Sequence, residues 1–304
     1  MLRVQRQSLN DSGLELETLE MNLVAEAPAK INRELRVGPR RPDGFHEILS
    51  RFCAIDFSDR LEVEESDRLE VFCSGLPVPC DDTNLVSRAA RRLADRLGVA
   101  PRARIRLEKR VPAGSGLGGG SADAAVTLLL LSRLWDSRLR QEELSEVAAR
   151  LGGDVPFFLS GGEADVAGRG ERVTPLGDSP PQELLLWIPP FSISTAQVYA
   201  AFDRLTGSAA VSLPDGLEIE TKGSFLGPND LASAVLEIEK QMENYVMSAR
   251  QVASESGITG SGSALLLFGV DPEGEKRLTQ VHPEATMRRV RTLTREEYRR
   301  RTSA

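Results

Sequence analysis

The sequence predicts an α+β protein of two domains, on three observations. Strand patterns and amphipathic helix patterns interleave without the strict strand–helix repeat of a doubly wound parallel sheet. The chain has 304 residues, where single domains usually run to about 100–200. A Pro-rich stretch, Gly177-Asp-Ser-Pro-Pro-Gln182, separates two halves that each carry both kinds of element. The expected units are a disordered extension over 1–20, an N-terminal domain over 21–177, and a C-terminal domain over 178–304 that ends in a basic tail.

Each element rests on a local pattern. In the run from Ala29, Ala29, Ile31, Leu35 and Val37 fall on one face, with Lys30, Asn32, Glu34 and Arg36 on the other; this is the alternation of a strand with one buried face, and only Arg33 interrupts it. Pro42-Asp-Gly44 marks a turn, and 52–64 reads as a further strand. Leu85, Ala89, Leu93 and Leu97 repeat at helical spacing behind Asp82 or Thr83, either of which can cap the helix. A strand over 103–112 leads through a glycine loop into an apolar helix over 121–135, and a second helix from Gln141 ends at Gly152-Gly153. Residues 163–176 read as strand, turn and strand. The second half opens with a strand from Glu183 and a helix from Thr195; a single helix spans 235–254, and a glycine turn then feeds a buried strand. A helix, a short strand and the Arg-rich end complete the chain.

Composition narrows the function classes. A formal net charge of -7 argues against a general nucleic-acid binder, which needs a concentrated basic face, but leaves a nucleotide ligand open. Three cysteines without zinc or redox spacing suit a reduced, cytoplasmic protein, and two histidines leave no structural zinc site. The longest apolar run, Ala124 to Leu131, is far short of the ~20 residues that span a bilayer, and the N-terminus lacks the apolar core of a signal peptide. Neither a membrane nor a nucleic acid is an expected partner, and the chain fits a monomer or a homodimer.

The segment richest in chemistry runs from Pro112 to Ala125, with five glycines between Gly114 and Gly120 directly before a helix. Glycines expose consecutive backbone N–H groups, and a helix start adds free donors and a positive dipole end, which together form a phosphate cradle. The plainer alternative is a flexible loop that happens to precede a helix. No lysine follows the glycines, so this is not a Walker A loop; no HRD or DFG segments accompany it, so it is not a protein-kinase loop. Gly114-x-Gly116-x-x-Gly119 matches the dinucleotide fingerprint, but Lys109-Arg-Val-Pro112 precedes it where an apolar central strand should stand.

Pro112-x-x-x-Gly116-Leu-Gly-Gly-Gly-Ser-Ala122 resembles the central ATP motif of the galactokinase, homoserine kinase, mevalonate kinase and phosphomevalonate kinase superfamily. Ala27-Pro-Ala-Lys-Ile-Asn32, Arg41-Pro-Asp-Gly-Phe-His46, Leu151-Gly-Gly-Asp-Val-Pro-Phe157 and Thr259-Gly-Ser-Gly262 resemble, in order, the family of 4-diphosphocytidyl-2-C-methyl-D-erythritol kinases within it. The resemblance covers roughly 22–295, which makes Met21 the expected start of the native protein. It implies a first domain like ribosomal protein S5 domain 2, a ferredoxin-like second domain and an active site in the cleft between them. It further implies ATP as co-substrate with Mg2+, and phosphorylation of the 2-hydroxyl of a cytidyl substrate in a non-mevalonate isoprenoid pathway. Rival readings are a mevalonate- or homoserine-type kinase of the same superfamily, and a nucleotide-binding regulator without catalysis.

The same resemblance assigns residues. Asp154 becomes the general base and Lys30, one of only five lysines beside 33 arginines, its catalytic neighbour. A helix-capping aspartate and an exposed strand lysine are the plain alternatives. Pro112, Ala113, Gly114, Ser115, Gly116, Leu117, Gly118, Gly119, Gly120, Ser121 and Ala122 form the ATP loop, with Ser121 a candidate magnesium ligand although no metal carboxylate is singled out. Asn32, Phe45, His46 and Tyr199 are the implied substrate contacts, Phe45 and Tyr199 stacking on the cytosine and His46 bonding its edge. Core aromatics and a turn histidine are the alternatives. Phe45 stands where the family usually carries tyrosine, and Arg33 and Glu34 stand at usually apolar positions.

Overall fold

A computed structural model describes residues 22–207, 213 and 224–303; the extension over 1–20 lies outside them. The element order is β1 (Leu23–Arg40), β2 (His46–Glu64), β3 (Glu70–Gly75), α1 (Leu85–Leu97), β4 (Arg104–Lys109), α2 (Gly119–Leu134), α3 (Gln141–Ala149), a 3-10 turn (Val155–Leu159), β5 (Glu163–Gly168), β6 (Arg172–Pro175), β7 (Glu183–Ile188), α4 (Thr195–Thr206), α5 (Ala232–Ile238), α6 (Met242–Val252), β8 (Glu255–Ile258), β9 (Leu265–Phe268), α7 (Pro272–Val281), β10 (Thr286–Arg291) and α8 (Arg295–Thr302). A six-stranded sheet runs β3-β4-β2-β5-β6 with β1 also on β2, and a four-stranded sheet runs β10-β7-β9-β8. Only β3–β4 is parallel, so the α+β class holds with one mixed sheet. No helix among the described residues is long and apolar enough to cross a membrane.

β1 does not present one continuous face. Register slips between Asn32 and Glu34 leave Arg33 as the extra residue of a β-bulge, which exchanges the faces of the strand beyond it. Ala29 and Ile31 enter a core shared with the second sheet, whereas Leu35 and Val37 enter the core beneath α4 to α6. Arg33, which interrupts the apolar alternation, sits at that bulge with its guanidinium 4.0 Å from the Phe225 ring and its Nε donating to the Phe225 carbonyl. The supposed polar face is not solvated either: Lys30, Asn32 and Glu34 are all buried.

The apolar run of β7 is explained by burial on both sides. Leu184, Leu186 and Ile188 face the core against β1 and β2, while Leu185 and Trp187 face the helical side. A third core joins α1, α2 and the outer part of the first sheet.

Several local expectations shift. Asn84, not Asp82 or Thr83, caps α1, its side chain accepting from Val86 N at 2.9 Å while Asp81 takes up Thr83. α3 ends at Ala149, before the glycine pair. The helix expected over 235–254 is two, interrupted at Glu239, which has extended angles (φ −119°, ψ 93°). Nothing in Glu239-Lys-Gln241 forbids a helix; the break follows packing, α5 against α4 and α6 against β8 and α7. β3 carries no clear strand signal in the sequence because it is an edge strand with exposed Phe72.

The short strand expected near the end is β10, and the Arg-rich stretch beyond it, expected to be a tail, holds α8. α8 starts with a Thr294–Glu297 capping box and returns to the first core, where Tyr298 is fully buried and donates its hydroxyl to the Phe158 carbonyl at 2.6 Å. Gly161 makes room for that ring; a Cβ there would lie 2.2 Å from it. Tyr298→Ala is expected to cost about 3 kcal/mol or more, the range for deleting a buried aromatic. Urea unfolding measures it, and a loss below about 1 kcal/mol would show that α8 is only draped on the surface.

Candidate active site

Segments from along the chain converge on one cavity of about 460 Å³: β1 and β2, the start of α1, the loop before α2, the turn before the 3-10 helix, the start of α4, Leu231 before α5, and the turn between β8 and β9. Lys30 and Asn32, two residues apart on β1, point into it from the same face. The Lys30 ammonium donates to Asn32 Oδ1 at 2.5 Å, lies 3.5 Å from Asp154 Oδ2, and stands 4.4 Å from the centre of the Phe52 ring. Its side chain is 5% exposed and that of Asp154 is 30% exposed, so the pair joins a dry cation to a carboxylate that solvent and ligands can reach. Burial lowers the Lys30 pKa from the ordinary lysine value of 10.5, with the Asp154 charge acting against it.

Asp154 opens the 3-10 turn but makes no capping bond with its side chain, so the capping alternative does not apply. Gly153 explains how the carboxylate reaches the cavity: a Cβ there would sit 2.2 Å from the Arg169 carbonyl, so only glycine lets this turn press on the β5–β6 hairpin. Asn32 is oriented from three sides. Its backbone N–H donates to Thr259 Oγ1 at 2.8 Å, its Nδ2 donates to Ser50 Oγ at 2.9 Å, and its Oδ1 accepts from Lys30. Sequence reasoning singles out the Thr259–Gly262 turn but not the bond from Asn32 to Thr259, and it does not find Ser50, an isolated hydroxyl without a pattern around it.

The glycine loop is held by its carbonyls. Gly114, Ser115 and Leu117 accept from Ile193 N, Ala264 N and Lys30 N at 3.1, 3.0 and 2.9 Å. The first bond of α2 runs from Ala122 N to Gly118 O, so the amides before it have no intrahelical partner. Gly114, Gly116 and Gly118 all have positive φ, between 68° and 79°. Residues 112–121 line the cavity; Ala122 is buried in the core behind them. The Thr259–Gly262 turn abuts the loop, for a Cβ on Gly116 would lie 2.3 Å from the Thr259 carbonyl.

The four expected substrate residues separate. Asn32 and Tyr199 line the cavity, and burial, followed by the Asp154 charge, pushes the Tyr199 phenol above its ordinary range. His46 lies behind Tyr199, its ring stacked at 5.2 Å, with Nδ1 3.0 Å from the Gly38 carbonyl and Nε2 3.1 Å from Asp203 Oδ1. Phe45 is outside the lining, 55% exposed, with the Arg169 guanidinium 5.0 Å from its ring. Among the described residues no group of three or more His, Cys, Asp or Glu side chains is arranged to hold a metal.

Comparisons with known proteins show what the chain and its fold are similar to. The family described as GHMP kinases N terminal domain matches residues 84–162. A 4-diphosphocytidyl-2-C-methyl-D-erythritol kinase of Kineococcus radiotolerans is 34% identical over 290 residues, covering 89% of this chain and 89% of its own. One of Persephonella marina is 35% identical over 263 residues, covering 85% of this chain and 95% of its own. A crystal structure of 4-(cytidine 5'-diphospho)-2C-methyl-D-erythritol kinase superimposes with a TM-score of 0.71 at 32% identity, covering 89% and 99% of the two chains. A mevalonate kinase structure, at 14% identity, 90% and 99% coverage and a TM-score of 0.62, shares the fold.

Gly116 offers a clean test of the contact between the two glycine turns. Gly98 has a similar φ of 69° but nothing within 4 Å of where a methyl would stand, so Gly98→Ala carries only the left-handed backbone cost of about 1–2 kcal/mol. Gly116→Ala is expected to cost clearly more, because the added methyl must displace backbone on the facing turn. Equal losses for the two variants in urea unfolding would mean that the turns do not bear on each other.

Proposed function

Since the chain belongs to the 4-diphosphocytidyl-2-C-methyl-D-erythritol kinase family, we propose that it transfers the γ-phosphoryl group of ATP to the 2-hydroxyl of that cytidyl alcohol. The observation that carries the reading is the Lys30–Asn32–Asp154 cluster facing a glycine loop whose Gly114, Ser115 and Leu117 carbonyls are occupied and whose amides at the start of α2 precede that helix's first bond.

A tertiary alcohol is a weak nucleophile, so its proton must leave as the oxygen attacks phosphorus. Asp154 accepts that proton. Among the described residues it is the only acid lining the cavity, and no capping bond competes for its oxygens. Lys30 has three N–H donors, of which Asn32 and Asp154 occupy two, and the third serves the developing alkoxide or the transferred group. Because the ammonium is already desolvated, little solvent reorganises as charge forms. Ser50 and Thr259 hold Asn32, and Asn32 fixes Lys30. The amides of 118–121 receive the nucleotide phosphates at the positive end of α2. Mg2+ would arrive on the nucleotide, held by phosphate oxygens, water and Ser121, and would neutralise phosphate charge; a site without a carboxylate cage suits such an ion.

Tyr199 supplies the aromatic wall for the cytosine, backed by His46. The cavity draws residues from both sides of 177–182, which supports a cleft between an S5 domain 2-like first unit and a ferredoxin-like second unit, with α8 returning to the core of the first.

The decisive assay supplies Mg-ATP and a panel of alcohols and follows ADP release. Turnover on the cytidyl alcohol alone is expected; preference for mevalonate or homoserine would overturn the substrate assignment. Asp154→Asn and Lys30→Ala should each lower kcat by about 100-fold or more while the protein stays folded, and near-normal turnover in either would refute the roles. The pH profile carries a sign as well. A required ammonium whose proton affinity is reduced by burial is lost as pH rises, so kcat should decline on the alkaline side before pH 10.5. A profile flat through that value would remove Lys30 from the mechanism.

A further inference from the structure

We propose that Lys109 is a positioning residue for ATP: its ammonium bridges Asp59 and Asp123 and thereby fixes both ends of the phosphate loop relative to each other. The proposal rests on the assignment of 112–121 as the nucleotide loop. None of the three side chains lines the cavity, and all three are buried.

The loop hangs between the end of β4 and the start of α2. At the β4 end, Asp59 of β2 terminates the strand: its Oδ1 accepts from the N–H groups of Arg110 and Val111, at 2.5 and 2.8 Å, and its Oδ2 accepts from Lys109. At the helix end, Lys109 Nζ donates to Asp123 Oδ2, in the second turn of α2, at 2.7 Å. One ammonium therefore joins the last residue of the strand to the helix that receives the phosphates. The fit around it is close. A Cβ on Gly119, the first residue of α2, would lie 2.9 Å from Lys109 Nζ, and a Cβ on Gly75 would lie 2.2 Å from the Lys109 carbonyl, which accepts from Leu76 N.

The arrangement is a poor device for stability. Burying an ion pair costs most of what its attraction returns, and apolar replacements of equal volume are often as stable. Here two carboxylates share one ammonium, Asp123 Oδ1 has no partner among the described residues, and burial holds the Asp123 carboxyl well above the usual range. What the cluster supplies is directional: three donor–acceptor vectors fix the end of β4 on Asp59 and a fourth ties it to Asp123 of α2, which together set the spacing of the amides at Gly118 to Ser121. A non-directional apolar contact would leave that spacing free to vary.

The test compares Lys109→Met, Asp123→Asn and a control, Leu131→Ala, which deletes buried packing in the same helix far from the loop. Binding of a non-hydrolysable ATP analogue is measured by calorimetry, and the KM values for ATP and the cytidyl alcohol by steady-state kinetics. Lys109→Met should weaken analogue binding and raise the KM for ATP about tenfold or more, with the KM for the alcohol within about twofold. Leu131→Ala, although destabilised, should bind the analogue as the wild type does. If Lys109→Met does not fold, Asp123→Asn, which keeps the volume, decides alone with an expected weakening of about threefold or more. Wild-type analogue affinity in the folded variants, or an equal loss in Leu131→Ala, overturns the proposal. A wild-type protein that binds the analogue yet turns over no cytidyl alcohol would refute the substrate assignment and leave this inference standing.

Discussion

The site depends on one backbone contact, where the loop at Gly116 meets the turn at Thr259–Gly262 with no side chain between them. Because the two turns touch, Ala264 N can reach the Ser115 carbonyl, and Thr259 Oγ1 can accept from the backbone of Asn32. The second sheet, through β8 and β9, thus reaches both the phosphate loop and the strand that carries Lys30. Glycine is required on steric grounds, and the positive φ at both Gly116 and Gly262 follows from the same tight turns. Every carbonyl the loop commits to this frame turns its peptide planes, and it is this fixed orientation that leaves amides available at the helix start.

The frame also explains why a buried cation is tolerated. Desolvating an ammonium is costly unless its donors are satisfied and a counter-charge is near. Lys30 has Asn32, Asp154 and the face of Phe52 around it, and Asn32 is itself held by Ser50 and Thr259. The chain of restraint runs from the second sheet through Thr259 to Asn32 and then to the ammonium. A reactive side chain is therefore positioned by residues with no chemistry of their own.

What was legible in the sequence divides along this line. The glycine loop was legible from five glycines before an apolar helix. Lys30, Asn32 and Asp154 stand out instead through the resemblance of their segments to a family, with a lysine among arginines and a carboxylate after a glycine pair as the only local cues. The strands and most helices followed from periodicity, which reports burial on one side of an isolated element. The bulge at Arg33 was not readable as such, since an odd residue in an alternating run looks like noise until its partner strand is known. The break at Glu239 and the return of α8 to the first core depend on packing between segments far apart in the chain, where local propensity is silent. His46 shows the same gap at a side chain: the sequence places it beside Phe45, but only the fold reveals that Gly38 and Asp203 face its two ring nitrogens and that Tyr199 covers it.

Charge gives the last step. The protein has a net charge of -7, and both proposed ligands are polyanions. Two polyanionic ligands would ordinarily call for arginines at the site, yet Lys30 and Asp154 are the only charged residues lining it among those described. Arginines elsewhere are tied to carboxylates, as in Arg51 with Asp165, Arg104 with Glu64 and Glu70, and Arg291 with Glu297. On the proposed reading, phosphate binding in such a site falls to neutral backbone donors and a helix end. On that reading Lys30 is left as the one cationic side chain lining the cavity among the described residues. Its orientation, set by Asn32, becomes the quantity the surrounding fold must control.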